Sequence, residues 1–90
     1  MKQRFTCTTP YGTVSRTTAR KYTHVVVLHF SCAHKSGRQV YGVAWCGNQR
    51  LAETQLKYWV NHVRFRFDLS QVDSWELEIF PVDAPDAVTP

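Results

Sequence analysis

No carboxylate stands before Glu53. The first 52 residues thus offer no acidic partner to orient a catalytic histidine, and an acidic imitation of DNA is excluded as well. Long apolar runs are missing too. The longest, Val25 to Leu28, stops at His29. It is far short of the ~20 residues that cross a bilayer, and it reads as a strand. The basic start Met1-Lys2-Gln3-Arg4 leads into no apolar segment, so a signal peptide is not expected and the expected location is the cytoplasm. The four glycines stand alone, and none builds a GxGxxG or GxxxxGK[ST] phosphate loop. Cys7, Cys32 and Cys46 follow no CxxC spacing. Their odd number argues against a disulfide framework and suits small buried hydrophobes in a reducing compartment.

Positive charge is abundant, and it is unevenly placed. Residues 1–50 carry Lys2, Arg4, Arg16, Arg20, Lys21, Lys35, Arg38 and Arg50 with no acidic group, a charge of +8. Residues 51–90 carry Lys57, Arg64 and Arg66 against seven acidic groups, a charge of −4. One basic half suggests an anionic partner for one face. The competing explanation is that these charges keep a small sheet soluble and guard its edges.

The 90 residues are enough for one domain with one core. "RFTCTT" and "TVSRTT" alternate around Pro10-Tyr11-Gly12, which is good hairpin chemistry. The implied pairing sets Phe5 opposite Arg16 and Cys7 opposite Val14, giving a face that is apolar except for Arg16. A third strand runs from Thr23 to Cys32 and a fourth through "QVYGVAWC". With Cys32 opposite Gln39, Phe30, Tyr41, Leu28, Val43, Val26 and Trp45 share one aromatic face. Val25, Val27, His29, Gly42, Ala44 and Cys46 share the other, whose mostly small residues suit the approach of a helix. That helix is expected to start at Asn48 as N-cap. Leu51, Ala52, Leu56, Trp59, Val60 and Val63 would form its buried stripe, with an end near Asn61 or His62. "WELEIF" is a last strand, with Glu76 and Glu78 outward. The expected fold is α+β, an antiparallel sheet of about five strands with one helix on one face (ββββαβ), over residues 1–82. Residues 83–90 read as a disordered tail.

Catalytic and metal constellations are thin. Cys32 and His34 resemble half a metal site, but the hairpin puts Cys46 seven positions beyond Gln39. At ~3.3 Å per residue that is roughly 20 Å away. A Cys46–His29 pair on one sheet face is explained equally well by core packing. No enzyme, cofactor or metal is therefore expected. Anion binding is better supported. Arg16, Arg20 and Lys21 cluster in one connection, Lys35 and Arg38 in the next, and Arg4 lies on the adjacent strand. Tyr11, Tyr22, Tyr41 and Trp45 offer rings for stacking on bases. Phe30, Tyr41 and Trp45 form the candidate aromatic interaction face, which "RFRFDLSQV", a partner or a second copy of the chain would cover.

"ARKYTHVVV" and "GVAWCGNQRLAETQ", within residues 19–55, resemble short uncharacterised reading frames of phages and other mobile elements. The resemblance implies a small non-enzymatic effector that occupies a surface of a host machine, as anti-CRISPR proteins do. It carries over no binding residues. Two readings follow from the whole. One is a basic protein that contacts nucleic acid or a nucleoprotein through a sheet edge and loops. The other is a phage-encoded inhibitor, acting in the host cytoplasm, that binds a host complex through an aromatic face with a basic rim.

Overall fold

A computed structural model describes residues 2–32, 38–70 and 72–83. The order is β1 (Gln3–Thr9), β2 (Gly12–Thr18), β3 (His24–Cys32), β4 (Arg38–Cys46), α1 (Gln49–Arg66) and β5 (Val72–Pro81). This is the expected ββββαβ succession in an α+β fold, with all strand pairs antiparallel. The strands form two sheets. β1 and β2 make a hairpin of their own, and the other three pair in the order β4-β3-β5. β3 sits at the centre and is the most deeply buried strand.

The hairpin has the register its residues imply, with Phe5 opposite Arg16 and Cys7 opposite Val14. Gly12 closes the turn at φ 147°, a value that L side chains rarely adopt. A Cβ at that position would lie 2.8 Å from Val40 Cγ1 on β4. Both strain and overlap therefore oppose any side chain. Gly12→Ala is expected to cost about 1–3 kcal/mol, read as a lower urea midpoint. An unchanged midpoint would mean that the turn does not press on β4.

The β3–β4 register departs from the expected one, and the difference moves a face. Phe30, not Cys32, lies opposite Gln39, and Leu28 lies opposite Tyr41. A two-residue slip preserves the faces. A bulge then follows between Val26 and Val27, where Val27 pairs with Gly42 but Val26 with Ala44. The extra residue, Val43, reverses the alternation beyond it. Trp45 consequently pairs with Val25 and leaves the side of Phe30 and Tyr41. Gly42 makes room for the indole, since a Cβ there would sit 3.1 Å from Trp45 Nε1.

The helix accordingly covers the face assigned above to the aromatics. Ala52 and Leu56 pack on Val26, Val43, Ala44, Cys46, Leu77 and Ile79. Ala44 and Cys46 are on the helix side as expected, but Val25, Val27 and Gly42 are not. They meet the β1–β2 hairpin, whose Cys7 and Val14 close over Val25, Val27, Val40, Trp45 and Phe80. The molecule is thus layered as hairpin, central sheet and helix, and both apolar faces of β3 are covered from within the chain.

Asn48 caps α1 as expected, its Oδ1 accepting from the Leu51 N–H at 2.8 Å. The helix runs past Asn61 and His62 to Arg66. Val63 continues the stripe of Ala52, Leu56 and Trp59 and is fully buried, so packing carries the helix one turn further. Phe67 then turns back to stack near Tyr41 and Trp59. Phe65 remains 83% exposed. Of the expected tail, only Asp83 is described. Its N–H donates to Thr6 O at 2.8 Å and its carboxylate accepts from Thr8 Oγ1 at 2.7 Å, tying the end of β5 to the hairpin.

Candidate functional site: a basic cleft between the hairpin and the helix

Arg16 was the one charge on the apolar face of the hairpin, and the structure gives that position a use. The side chain lies at the rim, with its guanidinium carbon 5.7 Å from the centre of the Tyr22 ring. Tyr22 in turn meets Phe5 edge-on at 6.0 Å and Trp45 at 6.1 Å. The connection between β2 and β3 is pinned at both ends. Arg20 N–H donates to Thr18 Oγ1 at 3.1 Å, and Thr23 N–H donates to Cys46 O at 2.9 Å. Arg20 and Lys21 are thereby held beside the end of β4 and the start of α1.

The result is a cleft of about 550 Å³. Arg16, Arg20, Lys21 and Tyr22 supply one part of its lining. Ala44, Trp45 and Cys46 from β4, then Gly47, Leu51 and Gln55 at the start of α1, supply the rest. No carboxylate is among these residues. No ion pair to Arg16, Arg20 or Lys21 occurs among the described residues, where salt bridges involve only His29 with Glu76 and Glu78. Three converging cations without counter-charges make a region of positive potential. Leu51 is half exposed against it. The cleft thus sets three cations beside apolar and aromatic surface.

The other expected binding residues are placed differently. Arg4 is exposed and donates to Ser15 Oγ at 3.4 Å. It lies on the alternate side of β1 from Phe5, away from the cleft. Lys35 and His34 lie outside the described residues. Arg38 is occupied within the fold. Its Nε donates to His29 Nδ1 at 3.0 Å, one terminal nitrogen donates to Ser74 Oγ at 3.2 Å, and the guanidinium lies 5.6 Å from the centre of the Tyr11 ring. Phe30, Tyr41 and Trp45 do not make one face. Phe30 and Tyr41 stack at 5.7 Å on the helix side, whereas Trp45 is on the hairpin side because of the bulge at Val43.

A second polar cluster surrounds His29, which is 1% exposed. Tyr11 stacks on its ring at 3.8 Å and 18°. Nε2 meets a Glu78 carboxylate oxygen in a hydrogen bond, and Glu76 stands 3.9 Å off. Glu78 therefore turns inward, where an outward position was expected. The three residues have the spacing of a metal-ligand group. Arg38 decides against that use as the side chains stand. A guanidinium only donates, so Nδ1 must accept, and the ring proton resides on Nε2, where it is given to Glu78. No Nε2 lone pair is left for a cation. The cluster instead laces β4, β3 and β5 together under the hairpin turn.

The Cys46–His29 pair does not form. Cys46 is on the helix side of the sheet and His29 on the hairpin side, so the two do not meet. Burial pushes the Cys46 thiol up. Burial, with the Asp83 carboxylate adding to it, pushes Cys7 up to about 11. Both stay protonated near neutrality, without the thiolate that a nucleophile needs.

Of the residues that line the cleft, Arg16, Arg20, Lys21, Tyr22 and Trp45 stand out from the sequence, whereas Gly47, Leu51 and Gln55 do not. The start of a helix next to a basic connection was the available signal, because β4 leads directly into Asn48. Among the described residues, no helix is long and apolar enough to cross a membrane. No protein-family model, curated protein or solved structure matches the chain.

Proposed function

We propose that this is a non-enzymatic protein that binds nucleic acid, or the nucleic acid of a nucleoprotein, through the cleft of Arg16, Arg20 and Lys21. One observation carries the reading: three cations with no carboxylate partner among the described residues line a cleft that also holds two aromatic rings. Phosphates would take the cations, and nucleobases or sugars the rings and Leu51. The surface is narrower than the sheet edge expected from sequence. Arg4 and Arg38 are not part of it.

The alternative is a phage-encoded inhibitor of a host complex, in keeping with the resemblance of residues 19–55. It drew on a single aromatic face of Phe30, Tyr41 and Trp45. Because the bulge separates Trp45 from the other two, that face keeps only Phe30 and Tyr41 of its three residues, and the reading takes second place.

Fluorescence anisotropy with labelled single- and double-stranded DNA and RNA, at 50 and 200 mM salt, tests the proposal. Three phosphate contacts give a slope of log K against log [salt] of about −2 for a single strand and about −2.7 for duplex DNA, roughly a twentyfold and a fortyfold fall in affinity over that range. Absence of binding to every probe at 50 mM salt would sink the proposal. Capture of a host protein would then become the experiment of choice.

A further inference from the structure

The lining of the cleft has two parts, and only one of them concerns phosphate. Arg16, Arg20 and Lys21 suit the backbone. The ring faces of Trp45 and Tyr22 and the Leu51 side chain offer a phosphate nothing, yet they line the same space, with Gln55 beside them. A duplex presents its phosphates on a convex outer surface and keeps its bases stacked and paired inside. Against a duplex, the rings of a cleft would meet nothing of their own kind. An unpaired strand offers both parts together, a phosphate and a free base one sugar away.

We propose that the ligand of the cleft is single-stranded nucleic acid, with one unpaired base entering it against Trp45 and Tyr22. This rests on the nucleic-acid reading above and narrows it. The size is right: about 550 Å³ falls in the roughly 300–1,000 Å³ range of sites that enclose a small organic ligand. The rings are available. Trp45 and Tyr22 are only partly buried, and the indole rests over Gly42, which has no side chain to displace it. Arg16 already lies over Tyr22. A guanidinium plane stacks on a base as it does on a ring, so an entering base extends a stack that exists before binding. Gln55, exposed on α1, brings one acceptor and two donors to the base edge. Leu51 is 52% exposed, and a base would cover it.

The rings on the outer side of α1 are the competing place for a base. Tyr58 and His62 stack there at 4.1 Å, with Phe65 beside them. Phe65 is 83% exposed there and Arg66 donates to the Tyr58 hydroxyl, whereas Trp45 and Tyr22 line a cleft with three cations.

The test compares two labelled strands of equal length and phosphate number on the wild-type protein at 50 mM salt. One is oligothymidylate, and the other is the same backbone without bases. Base entry predicts at least about tenfold weaker binding of the abasic strand, and weaker binding of a duplex than of the base-bearing strand. Photo-crosslinking with a 4-thiothymidine strand should then attach to Tyr22 or Trp45 in the digested protein. Equal affinity for both strands would overturn the base proposal and leave the phosphate-binding reading standing. A duplex that binds more tightly than the single strand would overturn it too, as would crosslinks confined to Tyr58 or Phe65. Binding of neither strand nor duplex would remove the underlying reading and the base proposal together.

Discussion

His29→Ala is expected to lower the melting temperature by about 12–24 °C, corresponding to roughly 3 kcal/mol at ~4–8 °C per kcal/mol in a domain of this size. Three losses combine. The side chain is 1% exposed, so its removal leaves a cavity of a size that ordinarily costs about 2 kcal/mol or more. Arg38 Nε and the Glu78 carboxylate lose their common partner. Tyr11 loses the ring it stacks on, and with it a contact that holds the hairpin turn over the central sheet. Glu78 is 42% exposed at its side chain, and water recovers part of its bond, so the loss falls mainly on the cavity and on Arg38. A loss of 3 kcal/mol is a large share of the ~5–15 kcal/mol that small domains possess. Thermal melts of His29→Ala, His29→Leu and His29→Gln separate the causes. Leucine restores volume without bonds. Glutamine retains an acceptor for Arg38 and a donor for Glu78 and should suffer least. A His29→Ala melting temperature within about 3 °C of wild type would refute the assignment of this cluster as the lace between β4, β3 and β5.

Reversing Arg16, Arg20 and Lys21 to glutamate should reduce nucleic-acid affinity about a thousandfold while leaving the fold nearly intact. Each charged contact to a phosphate is worth about 1.5 kcal/mol or more, and three of them give that factor before repulsion is added. The residues are exposed, so their stability cost is small. The Arg16–Tyr22 stack contributes only about 0.5–1 kcal/mol. Net charge would move from +4 to −2, since each reversal changes it by two. A matched reversal of Arg4, Lys57 and Arg64 has the same net charge, and none of those three lines the cleft. Anisotropy at 50 mM salt then tells local from global electrostatics. The matched variant should lose less than about tenfold. Equal losses in both variants would mean that binding follows net charge alone, and the cleft would have no special standing.

The legible part of this protein is the part set by short-range chemistry. Pro10-Tyr11-Gly12 specifies its hairpin because the turn itself fixes which residues face each other, and Phe5 and Val14 follow from it. Asn48 declares the helix start because its side chain bonds three residues on. The concentration of Arg16, Arg20 and Lys21 is visible without any structure. The helix end was not legible in the same way. Val63, Phe65 and Phe67 alternate like a strand, and only the burial of Val63 under the sheet shows that the helical turn continues.

The β3–β4 pairing shows where local reasoning stops. Residues on both strands are apolar on both sides, so the usual penalty for exposing an apolar face did not choose between registers. One inserted residue, Val43, costs little locally and moves Trp45 across the sheet. The same insertion divides the expected aromatic face and brings Trp45 next to Tyr22 and the basic connection. His29 is a similar case. A histidine within an apolar run needs partners, but Arg38 and Glu78 come from two other strands, and only the register brings them to it.

Sequence by itself determined the order of elements, the turn, the helix cap and the uneven charge, because each depends on residues close along the chain or on simple addition. Tertiary structure alone decided that the hairpin folds over the sheet as a third layer, that Arg38 is used internally, and that the basic connection closes against the start of α1. Those outcomes depend on which apolar surfaces find each other, and a chain with two apolar faces on one strand does not record that choice locally.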